Sequence, residues 1–148
     1  MKRSALIFAL PILLGAASAA SAQTGPQVSV SNPWIRYLLP SVPAGGYLTL
    51  HNNGTSPAVL TGASSSACGT LMLHKSENKS GTEIMVKVDS ITVPAHGEVS
   101  FSEGGYHLMC MKPNMKLGEH IPVTLKFQDG TALLLTMPVY GPSGPSGQ

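Results

Sequence analysis

The sequence predicts an all-β domain, and three observations predict it. Short runs of β-branched and aliphatic residues recur along the chain. Turn signals rich in Gly, Asn, Asp or Pro separate them. No segment sustains apolar residues at the helical period of about 3.6, so little helix is expected. Strands this short and evenly spaced build a sandwich or a closed barrel.

The first element is not a strand. Lys2 and Arg3 form a basic start, residues 5–14 an apolar run interrupted by Pro11, and Ala20-Ser21-Ala22 a small-residue cleavage pattern. The apolar run falls short of the roughly 20 residues that a membrane span needs. Residues 1–22 are therefore expected to be a cleaved secretory signal peptide. With no cysteine near the cleavage point, no lipid anchor is expected.

Residues 23–140 read as one domain, long enough to bury a core. The strands expected in order are 28–31, 34–39, 46–51, 58–61, 70–74, 83–88, 98–102, 106–111, 122–127 and 131–139. The breaks include Asn52-Asn53-Gly54, Lys79-Ser80-Gly81, Pro94-Ala95-His96-Gly97, Glu103-Gly104-Gly105 and Asp129-Gly130. Asp129-Gly130, between two apolar runs, is the clearest hairpin signal. Residues 141–148 (GPSGPSGQ) are expected to be a disordered tail.

Charge excludes several partners. The chain has nine Lys plus Arg against seven Asp plus Glu. Losing Lys2 and Arg3 with the signal leaves seven against seven. Nucleic acid and anionic membrane surfaces both select a positive surplus, so neither is expected as a partner. No Ser/His/Asp motif, paired carboxylate set or phosphate loop stands out, so no enzyme is predicted.

Strand parity isolates the unusual residues, because successive side chains point to opposite faces. In 71–74, Leu71 and Leu73 share one face, Met72 and His74 the other. In 83–88, Ile84, Val86 and Val88 form the apolar face, while Met85 falls with Glu83 and Lys87. In 106–111, Leu108 lies with Tyr106 and Cys110, opposite His107, Met109 and Met111. A core-filling methionine belongs with the leucines. The pattern admits either a soft-metal site or an apolar partner-binding patch.

Ligand chemistry narrows the metal reading. Two thioethers and two neutral imidazoles carry no charge. Calcium and magnesium want oxygen, and zinc prefers thiolate, imidazole or carboxylate. Cu(I) is soft and monovalent, so a neutral set of two sulfurs and two nitrogens suits it. The imidazoles bind only when neutral, so affinity is expected to weaken below about pH 6.

Spacing carries a resemblance. His74, ten residues, Met85, twenty-one residues, His107, one residue and Met109 span one 36-residue stretch. This pattern resembles the copper-binding signature of the periplasmic Cu(A) chaperone family, PCuAC. Asn32-Pro33-Trp34-Ile35-Arg36, Gly46-Tyr47-Leu48-Thr49-Leu50, Gly105-Tyr106-His107-Leu108-Met109 and residues 122–127 resemble further segments of that family. The resemblance covers about 28–139. It implies a cupredoxin-like Greek-key β-barrel or sandwich binding one Cu(I) per chain through His74, Met85, His107 and Met109. It also implies a monomeric periplasmic metallochaperone that supplies the Cu(A) centre of cytochrome oxidase subunit II, alongside Sco-type thiol proteins. Some members carry a His- and Met-rich C-terminal extension; here neither residue follows Met137, so no second site is predicted.

Other readings stay beside this one. Copper sequestration for tolerance would use the same site without delivery. A blue-copper electron carrier needs a thiolate with two imidazoles, but no His lies between Cys110 and Met115. Export makes a Cys68–Cys110 disulfide attractive, with two buried thiols as the alternative. Parity puts Cys110 on the core face and Cys68 on the His74 face, which a bulge at Gly69 would reconcile. Met72 and Met111, on the ligand face, read first as an apolar rim and second as alternative or transient ligands, Met115 as a weak candidate ligand, and His51, His96 and His120 as surface histidines. Trp34 reads as core or barrel-end packing.

Overall fold

A computed structural model describes residues 27–146; the expected signal peptide lies outside them. Ten strands form: β1 (Val28–Arg36), β2 (Ala44–Asn52), β3 (Ala58–Ser64), β4 (Cys68–Lys79), β5 (Thr82–Lys87), β6 (Ile91–Val93), β7 (Glu98–Phe101), β8 (Tyr106–Pro113), β9 (His120–Phe127) and β10 (Ala132–Tyr140). No helix occurs among the described residues, and so none long and apolar enough to cross a membrane.

The strand path is β5-β4-β8-β2-β1-β10-β9-β3-β6, with β7 branching from β2. Its two halves meet where β1 pairs parallel with β10, Ile35 opposite Val139. The connections β2–β3, β3–β4, β5–β6, β6–β7 and β8–β9 cross between the halves, in Greek-key fashion. Between the halves lies the core. Leu48 and Leu50 of β2, Leu73 of β4 and Leu108 of β8 meet Leu60, Ile91, Val93, Val123, Leu125, Met137 and Val139 there. Met115, weighed as a weak ligand, is buried in this core.

Several boundaries differ from expectation for local reasons. The first two expected strands are one, β1, bent by a register shift between Ser31 and Trp34 where Asn32 takes φ 50°. It stops at Arg36, before a loop containing Pro40 and Pro43, which lack ladder donors. β4 continues past His74 because its polar end pairs with β5. β6 is only three residues long, too short to show a period. Asp129-Gly130 does close the β9–β10 hairpin, with Gly130 at φ 88° and Asp129 Oδ1 accepting from Thr131 N at 2.9 Å.

Cys68 and Cys110 form a disulfide with a Cα–Cα distance of 5.3 Å. The bulge expected at Gly69 does not appear in the β4–β8 pairing, which keeps one register from Cys68 opposite Pro113 to Lys75 opposite Tyr106. Lys112 of β8 takes φ 49° instead, and Pro113 beyond it is buried. The segment expected to be disordered is placed as far as Ser146. There Gly144 N donates to Gly141 O at 3.1 Å, and Gly144 lies against the Trp34 ring.

Candidate metal site

The predicted residues sit on three neighbouring strands, and pairing fixes their relation. Ser80 (φ 53°) and Gly81 (φ 84°) make a two-residue turn in which Lys79 pairs with Thr82. Two positive φ values define the tight turn that suits strand twist. That turn sets the β4–β5 register, so Met85 faces Ser76 and Lys87 faces His74. On the other side of β4, His74 faces His107 and Met72 faces Met109. Directly paired residues point the same way. His74, Met85, His107 and Met109 therefore share one face, turned away from Leu73 and Leu108, as parity predicted.

The same face continues through Gly45 of β2, opposite Met109, to Tyr47, and through Arg36 of β1, opposite Gly45. Gly45 is required here: a Cβ would lie 2.8 Å from the Tyr47 hydroxyl. Arg36 pairs with Glu103 at 2.6 Å and lies over the Tyr47 ring at 5.9 Å. Burial pushes the Tyr47 hydroxyl pKa up, and Arg36 partly opposes this. A cleft of about 370 Å³ opens beside these groups. Met85, His107, Met109, Tyr47, Leu38 and Glu83 are in its wall.

The histidines are the decisive feature. His107 is 4% exposed, and its ring lies 5.8 Å from that of His74. His107 Nδ1 contacts Gly105 O at 3.2 Å. A carbonyl only accepts, so Nδ1 carries the proton and Nε2 presents a lone pair. That Nε2 is buried with no partner, and so is Nδ1 of His74. Buried polar atoms are normally satisfied, so two orphans on paired histidines mark a candidate place for a ligand. Burial first, then His107 and Lys87, hold the His74 pKa below its ordinary value, which favours the neutral, ligating form.

Soft donors complete the face. Met85 is 55% exposed and forms the outer lip of the cleft, while Met109 is half-buried. No three of His, Cys, Asp and Glu converge among the described residues. An ion at His74 and His107 would therefore draw its remaining ligands from thioethers.

Known proteins carry the same arrangement of strands. The profile of the family described as "Putative lipoprotein LpqE-like" matches residues 28–139. The chain belongs to the LpqE-like family. A Leifsonia xyli subsp. xyli protein, also described as a lipoprotein, is 36% identical over 84% of this LpqE-like chain and 79% of its own length. An uncharacterised Rickettsia prowazekii protein is 29% identical over 72% of this chain, which spans 63% of that protein. Among solved structures, the copper-bound PCuAC domain from PmoF2 superposes with a TM-score of 0.65 at 21% identity, over 78% of this chain and 93% of that one. The Cu(I) form of DR1885 from Deinococcus radiodurans gives 0.60 at 29% identity, over 82% of each chain. The LpqE-like family is thus of PCuAC type, and the fold is the cupredoxin-like one.

One arrangement escaped the sequence. Ser31 Oγ lies 2.7 Å from His51 Nε2, and His51 Nδ1 lies 3.1 Å from Glu98 Oε2. These residues are on β1, β2 and β7, far apart in sequence, so spacing gave no sign of a Ser/His/acid set. His51 faces Glu98 across the β2–β7 ladder, with Ser31 on the neighbouring strand, and braces all three. His96, at a turn with φ 54°, and His120, opening β9, are exposed as expected.

Proposed function

We propose that this LpqE-like protein is an exported Cu(I) carrier that binds one ion through His74, Met85, His107 and Met109. A single observation carries the reading: two buried imidazole nitrogens without partners, on paired histidines whose rings lie 5.8 Å apart, beside a cleft walled by two thioethers. Copper here is cargo. The description of relatives as lipoproteins supports export, and the copper-loaded PCuAC structures support the metal.

The surroundings favour the monovalent ion. Lys87 faces His74 on β5, and its positive charge opposes a divalent ion about twice as strongly as a monovalent one. A neutral donor set does not offset that repulsion, and soft sulfur prefers Cu(I). Release is by ligand exchange. Met85 at the lip is the donor an acceptor reaches first, while His107 is held inside by Gly105. The acceptor proposed is the Cu(A) centre of cytochrome oxidase subunit II, with Sco-type thiol proteins acting alongside, and the carrier works as a monomer in the periplasm.

Anaerobic Cu(I) titration against a chromogenic chelator tests the binding. One tightly held Cu(I) per chain is expected in the wild type. Equal, weak binding by wild type and His107→Ala would overturn the assignment. A deletion strain under copper limitation tests delivery. Lost oxidase activity supports it, whereas normal oxidase with raised copper sensitivity would make the protein a sequestering one.

A further inference from the structure

Met72 stands outside the four-residue pattern, yet the register places it beside the site. It pairs directly with Met109, one step along β4 from the His74–His107 pair. Parity turns it to the ligand face, away from Leu71 and Leu73, so it is not core filler. The three strands thus carry successive rows: Met85 beside Ser76, then Lys87, His74 and His107, then Met72 and Met109. The histidine pair lies between Met85 on one side and the Met72–Met109 pair on the other.

The two flanks differ in shelter. Met85 is 55% exposed, whereas Met72 is half-buried. β5 pairing with β4 ends at His74 and Lys87, so no β5 side chain is paired beside Met72. A second, smaller cleft opens there, lined by Met72, Gly62 and Ala63 of the neighbouring β3, and Lys87 and Asp89. Leu71, Leu73 and Val88 complete its wall, so Met72 has open space beside it at this end of the row.

Resting on the carrier reading above, we infer that Met72 is a fifth soft donor, which holds Cu(I) with His74, His107 and Met109 when Met85 is withdrawn. A closed-shell monovalent ion has little geometric preference, so one thioether can replace another without reorganising the imidazoles. Met85, exposed at the lip, passes to the acceptor side. Met72, sheltered and paired with Met109, keeps the ion coordinated during the exchange. No electron moves; one Cu–S bond forms as another breaks.

Leucine replacements keep the side-chain volume and remove the sulfur. The disulfide-bonded protein, loaded anaerobically with Cu(I), is compared as wild type, Met72→Leu, Met85→Leu and the double variant. X-ray absorption counts sulfur neighbours, and chelator competition gives affinity. The wild type and Met72→Leu are expected to show two sulfurs. Met85→Leu is expected to keep two sulfurs as well, because Met72 moves in. The double variant is expected to drop to one sulfur and to bind about tenfold or more weaker than Met85→Leu. As a second readout, Cu(I) is expected to shield Met72 of Met85→Leu from peroxide oxidation, scored by mass spectrometry. One sulfur in Met85→Leu, or equal affinity of that variant and the double, would overturn the inference while leaving the carrier intact. A wild type that binds no Cu(I) would overturn both.

Discussion

His51 and His107 each sit within three paired strands, and their rings are completed in opposite ways. At His51, Glu98 Oε2 lies 3.1 Å from Nδ1 and Ser31 Oγ lies 2.7 Å from Nε2, so both nitrogens have a partner within the protein. At His107, Gly105 O takes the Nδ1 proton and nothing reaches Nε2; His74 faces it with its own orphaned Nδ1. The first ring is a finished brace. The second leaves a buried nitrogen open, which the proposed carrier function uses as a ligand. His107 is also the more deeply buried of the two, which makes its open nitrogen the more costly.

That contrast can be broken at four places. The largest effect is expected at the covalent brace. The disulfide ties the start of β4 to β8, whereas only side-chain hydrogen bonds and backbone ladders hold β1, β2 and β7 around His51. Replacing Cys68 and Cys110 by Ser is expected to lower stability by about 3 kcal/mol, read by thermal unfolding of the apo protein. An unchanged midpoint would mean that the ladder alone sets the ligand register.

His107→Ala comes next. It removes the buried donor, and Cu(I) affinity is expected to fall by about a hundredfold in chelator competition, equivalent to about 2.7 kcal/mol. Retained affinity would mean that the orphaned nitrogen is not a ligand.

The pH dependence of the apo protein is a smaller effect. Burial, His107 and Lys87 lower the His74 pKa below its ordinary 6.5, so the folded state resists protonation there. His74's stabilising contribution is therefore complete above pH 6.5, and it is lost as pH falls from 6.5 toward the lowered folded value. Denaturant midpoints at pH 7.5 and 5.5 are expected to drop for the wild type, and to drop less for His74→Gln. An identical drop in both would place the effect elsewhere.

His51→Gln is expected to change least. Copper affinity should stay within about twofold, and stability should fall by about 0.5–1 kcal/mol for the lost cross-strand bonds. A large loss of copper would erase the distinction between the two histidine sites.

Much of this was legible in the sequence because strand parity is a short-range rule. Leu71, Leu73 and Leu108 against His74, His107 and Met109 are separated by alternation alone, and the paired strands keep that separation. The hairpin at Asp129-Gly130 and the turn at Ser80-Gly81 were readable because Gly supplies a backbone conformation that few residues adopt. Register between strands was not readable. The row that puts Met72 beside Met109 depends on which residue of β4 meets which of β8. The Ser31–His51–Glu98 set depends on three strands meeting, and β6 is too short to show a period. The disulfide was reconcilable with parity only by an irregularity. The β4–β8 pairing keeps one register past Gly69, and the unusual backbone lies at Lys112, a non-glycine residue at φ 49°.

The most direct test follows the imidazole nitrogens themselves. Long-range proton–nitrogen NMR spectra of the disulfide-bonded protein resolve each histidine ring, and are recorded anaerobically before and after one equivalent of Cu(I). Ring nitrogen signals of His74 and His107 are predicted to move strongly, with those of His51, His96 and His120 unchanged. Movement at His51, or none at His74 and His107, would contradict the account.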